Sequence, residues 1–130
     1  MLPKNVAGLN KKEAKKMIII AFSNKTSKTV PNILCHRFKH VAPIVPYDDK
    51  LIMYQFVTRK RIEKIVLRMR DIRILRTHGW EFIYIDGIVP PYDFNPYDAR
   101  TCVDLSKRAI GMRKWRIQTP LRLYKELIRN

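Results

Sequence analysis

Cysteine, histidine, glycine and acidic residues are all in short supply in this chain, and each shortage removes a class of chemistry. Among the 130 residues, the two cysteines are Cys35 and Cys102. That is too few for a disulfide framework, and their separation has no metal-type spacing. The three histidines, His36, His40 and His78, form no His-x3-His pair with a suitably placed carboxylate, so no zinc site and no cofactor are expected. Four glycines leave no room for a Gly-rich phosphate loop. No helix-turn-helix, zinc-finger or RNP-type pattern marks a plain nucleic-acid-binding module. The longest apolar run, Met17-Ile-Ile-Ile-Ala-Phe22, is too short to span a bilayer, so no transmembrane segment is expected. Met1 to Lys16 is basic throughout and is followed by no h-region with a cleavage site, so no signal peptide is expected and the reading is cytoplasmic.

What the chain does have is positive charge. Twenty-seven Lys and Arg stand against eleven Asp and Glu, giving a net charge of +16. The basic residues fall in three blocks, Lys4–Lys16, Arg59–Arg76 and Arg100–Arg129, and Arg dominates the last two. Charge of one sign on this scale implies a polyanionic neighbour: nucleic acid, an anionic membrane or an acidic protein surface. The candidate contacts are Arg59, Lys60 and Arg61 at a turn, and Arg113, Lys114 and Arg116 near the C-terminus. The plainer alternative is a solvated surface that keeps a small protein soluble.

A hydrophobic fraction of 46% supports one folded domain, read as residues 17–130 behind a basic arm, residues 1–16. In the arm, Asn10 is expected to cap one turn of helix over Lys11–Lys16. The apolar run Met17–Phe22 predicts a strand buried on both faces. Ser23–Thr29 is a polar loop, and Thr29 with Pro31 predicts a short helix over Val30–Phe38. His40–Val45 is the next strand, in which Pro43 argues for an edge or a bulge. Pro46–Lys50 reads as a turn. Leu51–Thr58 and Arg61–Leu67 follow as strands, then a helix over Asp71–Thr77 closed by Gly79, with His78 near its C-cap. Trp80–Ile85 is a strand, and Gly87–Asp98, with Pro90, Pro91 and Pro96, is a loop. A helix runs from Thr101 to about Gly111, and Thr119-Pro120 starts a last one over Leu121–Ile128. Trp80 and Trp115 read as core or interface anchors, and Tyr92 and Tyr97 as walls of a cleft or covers for the sheet edge. The fold class is α+β, with four or five mostly antiparallel strands packed with helices.

Cys102 stands where this last loop opens into a helix. Helix N-termini favour a thiolate, and their free N–H groups can receive the oxyanion of a tetrahedral intermediate. A thiol hydrolase also needs a base and a group to steady it. His40, at the head of a strand, is the candidate base, and Gln55, polar within Met53-Tyr-Gln-Phe-Val57, is the candidate orienting group. A cysteine on a helix face is also a common core residue.

Taken together, Ile18-Ile-Ile-Ala-Phe-Ser23, Cys35-His-Arg-Phe-Lys-His-Val41 and Thr101-Cys-Val-Asp-Leu-Ser-Lys-Arg-Ala-Ile-Gly111 resemble the circularly permuted, NlpC-type branch of the papain-like cysteine hydrolases, in which histidine precedes cysteine. The ending Gln118-Thr-Pro-Leu-Arg-Leu-Tyr-Lys-Glu-Leu127 resembles small members encoded by bacteriophages and bacteria. The resemblance implies a papain-like fold, Cys102 as nucleophile, His40 as base and Gln55 as third member by position. It also implies cleavage of an amide or ester bond through a thioester, on a peptidoglycan, peptide or acyl substrate. Two readings follow: a small thiol hydrolase or amidase, phage-associated, or a basic virion or assembly protein that keeps the fold and binds nucleic acid or acidic protein surfaces.

Overall fold

Strand β1 (Met17–Ser23) is buried at every position because neighbours flank it and helices cover both of its faces. The computed structural model describes residues 17–23, 40–58 and 61–129. After β1 come β2 (His40–Tyr47), β3 (Lys50–Thr58), β4 (Arg61–Leu67), α1 (Met69–Thr77), β5 (Glu81–Asp86), a 3-10 turn at Pro96–Asp98, α2 (Cys102–Ala109) and α3 (Pro120–Arg129). The strands form one five-stranded sheet in the order β4-β3-β2-β1-β5, with every neighbouring pair antiparallel. The described chain is therefore α+β. The arm 1–16, the helix expected over Val30–Phe38 with Cys35 and His36, and the turn residues Arg59 and Lys60 lie outside the described residues.

Alternation along the strands builds a core on each face, and Ile62, Ala99 and Leu105 form a further cluster with Tyr54, Phe56 and Phe94. On one face Ile19, Ala42, Ile44 and Met53 meet Ile72 of α1. On the other, Ile18, Ile20, Phe22 and Val41 meet Val103 of α2 and Leu123 of α3, and the Tyr124 ring stands edge-on to Phe22 at 5.2 Å. Each fully buried side chain of this kind contributes about 1.5–3 kcal/mol, whereas an exposed ion pair such as Arg61–Glu63 contributes about 0–1. The cores, and not the abundant surface charge, hold the fold.

Several boundaries moved for local reasons. α1 starts at Met69 and not at Asp71, because Asp71 is the third helical residue, whose carboxylate accepts the Arg68 N–H at 2.9 Å. Its end matches the expectation: Gly79 (φ +94°) donates to the Arg76 carbonyl, Trp80 to the Leu75 carbonyl, and His78 Nδ1 donates to the Ile74 carbonyl at 2.8 Å. The turn expected over Pro46–Lys50 is tighter, two residues wide at Asp48-Asp49, with Tyr47 paired to Lys50.

Pro43 is the most consequential of these positions. β2 is an interior strand whose register with β1 runs through Pro43 without a shift, so neither the expected edge nor the expected bulge is found there. Its ladder to β3, however, runs only from Tyr47↔Lys50 to Ile44↔Met53, and Pro43 is the next residue. A proline has no N–H to give a ladder. Beyond it β2 continues beside β1 alone, and the end of β2 carrying His40 parts from β3.

Candidate active site

The parted ends of β2 and β3 are bridged by side chains. His40 is the first residue of β2, and its ring Nε2 is hydrogen-bonded to Gln55 Oε1 of β3. In the tautomer with Nε2 protonated, the amide oxygen accepts from it and Nδ1 is the nitrogen left to act as a base. Trp80 stands edge-on to the same ring, with centroids 6.3 Å apart. The Schellman-type turn after α1 aims it there, so an apolar wall lies beside the imidazole. The sequence reads Trp80 as a core or interface anchor, and the structure sets it beside the His40 ring. Its one sequence signal is its place directly after the helix-ending Gly79.

Cys102 is the first residue of α2 and is half-buried. Thr101 caps that helix by accepting the Asp104 N–H at 3.0 Å, while Asp104 accepts the Arg100 N–H at 2.9 Å. Upstream, Asn95 accepts the Tyr97 N–H at 3.0 Å, the buried Pro96 and Ala99 tack the loop down, and Phe94 stands edge-on to Tyr54. The cysteine is thus delivered by a loop anchored at several points. Tyr92 and Tyr97, expected to wall a cleft or cover the sheet, are exposed.

Burial pushes the Cys102 thiol up, above its ordinary pKa. The backbone at Val41, Val103 and Cys102 itself acts the other way, favouring the thiolate as a helix start should. Desolvation outweighs it, so the resting group is a protonated thiol and not the standing thiolate expected from the helix N-terminus alone.

Cys102 packs against the cluster that holds Val41, the residue after His40. The two side chains leave the sheet on different faces. Cys102 packs with Val41 and Val103, whereas His40 lies with Gln55 and Trp80 on the side of Ala42 and Ile44. Because His40 opens its strand, the route between them runs around the end of β2.

The candidate polyanion contacts lie elsewhere. Arg61 is exposed and ion-paired to Glu63 at 3.4 Å. Arg113, Lys114 and Arg116 are exposed on the loop between α2 and α3. Trp115, expected as an anchor in a core or interface, is also exposed there. Lys107, unremarked in the sequence, is buried and donates from Nζ to the carbonyls of Lys114 (3.0 Å) and Ile117 (2.8 Å). Among the described residues no group of three or more His, Cys, Asp and Glu could hold a metal, and no helix is long and apolar enough to cross a membrane. Comparison with family models, curated proteins and solved structures gives no match.

Proposed function

We propose that the chain is a small papain-like thiol hydrolase, cleaving an amide or ester bond through an acyl thioester on Cys102. The observation that carries this reading is the His40–Gln55 hydrogen bond at the head of β2, one residue before Val41, against whose cluster Cys102 packs. A glutamine that accepts from Nε2 leaves Nδ1 as the base, and an apolar indole beside the ring protects that hydrogen bond from water. The half-buried, protonated thiol fits general-base activation at the moment of attack better than a permanent ion pair.

The steps follow from these groups. His40 Nδ1, with its Nε2 bond to Gln55 kept, takes the proton from Cys102 Sγ through one water at the end of β2 as the sulfur bonds to the substrate carbonyl carbon. The backbone N–H groups at the start of α2 receive the oxyanion. The imidazolium then gives its proton to the leaving amine or alcohol as the C–N or C–O bond breaks. Water, deprotonated by His40, cleaves the thioester and restores the thiol.

The test uses an activated acyl ester such as p-nitrophenyl butyrate. Intact-mass and peptide-mass analysis should find one butyryl group, on Cys102, in the wild-type chain and none in Cys102→Ala. Acylation at other side chains with Cys102 unmodified would overturn the reading.

A further inference from the structure

The basic residues that hydrolysis leaves unused gather around one aromatic ring. Trp115 is 72% exposed, on the loop between α2 and α3. The Arg116 guanidinium lies over this indole, 5.3 Å from its centroid. Beside them a groove of about 560 Å³ opens between the loop and α3. Arg122, Lys125 and Arg129 line it at spacings of three and four, one face of the helix, while Leu123 of the same helix is fully buried against the sheet. The carboxylate in this lining, Glu126, is held by Lys114 at 2.9 Å, and its pKa is lowered chiefly by that hydrogen bond. The mouth of the groove is thus an exposed indole with the Arg116 guanidinium over one face, and its wall is cationic.

The pairing of the two features selects the ligand. An acidic peptide or an anionic lipid headgroup would answer the cations but offers the indole no flat face. Duplex nucleic acid answers the cations and hides its base faces in the stack. Single-stranded nucleic acid presents both phosphates and free bases, and stacking of a base on an exposed aromatic is worth about 1–3 kcal/mol.

We propose that this groove binds single-stranded nucleic acid, with a base stacked on Trp115 and phosphates held by Arg122, Lys125 and Arg129. Such a site would bring the hydrolase to a nucleic-acid-bearing assembly, and it is independent of Cys102.

The probes are fluorescein-labelled oligothymidylate and oligouridylate of about twenty nucleotides, read by anisotropy with the full chain. Binding of either strand should weaken steeply with salt, because phosphate contacts release counterions. Trp115→Ala should weaken it by about tenfold with an unchanged salt slope. Arg122→Ala combined with Lys125→Ala should lower that slope by about 1.4. Trp115 is exposed, so its replacement leaves the core untouched, and Trp115→Phe should restore part of the affinity. Equal affinity of Trp115→Ala and wild type would overturn the proposal. So would duplex of the same length, or anionic vesicles, competing as well as the single strand does.

Discussion

Replacing His40 with alanine should slow acylation of Cys102 at neutral pH by roughly 1,000-fold, within the range for loss of a positioned general base. The fold should survive, because the residue sits half-buried at the end of β2 and outside the fully buried core. The size of the effect follows from the state of the thiol. Burial holds Cys102 above its ordinary pKa, so without a base few molecules carry a thiolate. The residual rate in His40→Ala should therefore keep climbing as the pH is raised beyond the usual thiol range. Single-turnover release of p-nitrophenol measures both. An unchanged rate at neutral pH would leave His40 without a catalytic role.

The second large effect is on stability and concerns Lys107. Its Nζ is buried and bonds two carbonyls of the 112–119 loop, one from Lys114 and one from Ile117. Hydrogen bonds from a charged donor are worth about 1.5–3 kcal/mol each, and a buried carbonyl left without its donor adds a cost. Lys107→Met keeps the length and helix propensity while deleting the ammonium. It should lower stability by about 3 kcal/mol and Tm by about 10 °C, with unfolding still cooperative. Lys107 lies on the side of α2 that carries the Trp115 loop, so the acylation of Cys102 below Tm should be spared. A Tm equal to wild type would show that the ammonium contributes nothing net.

The elements of the sheet were legible because their signals are local. The β-branched run at Met17–Phe22 allows no exposed face, and alternation in Leu51–Thr58 names the face of each side chain. The meeting of His40 and Gln55 required more, namely the register between two strands. That register depends on the two-residue turn at Asp48-Asp49, tighter than the sequence suggested. Continued from Ile44↔Met53, it sets Ala42 opposite Gln55 and His40 on the diagonal, within reach of a long side chain.

Other features left no trace in pattern or propensity. Pro43 read as an edge or a bulge, and instead it lies where the β2–β3 ladder ends inside the sheet, which is a tertiary matter. Lys107 in an amphipathic helix reads as solvated, and only the returning loop makes it a buried donor. The helix start at Cys102 argued for a thiolate, yet the depth of the packing decides the sign of the shift, and depth is not written in one helix's sequence. Trp115 looked like an anchor because most tryptophans are buried. Its exposure follows from α3 filling the core with Leu123 and Tyr124 instead.

The central claim is that Gln55 acts on Cys102 through His40, as one unit. A double-mutant cycle on the acylation rate tests it most directly, using His40→Ala, Gln55→Ala and both together. Gln55→Ala alone should slow acylation by roughly 10- to 100-fold, less than loss of the base itself. In the His40→Ala background the same change should have almost no further effect, so the double variant matches His40→Ala. Losses that multiply, with Gln55→Ala costing as much without His40 as with it, would contradict the account.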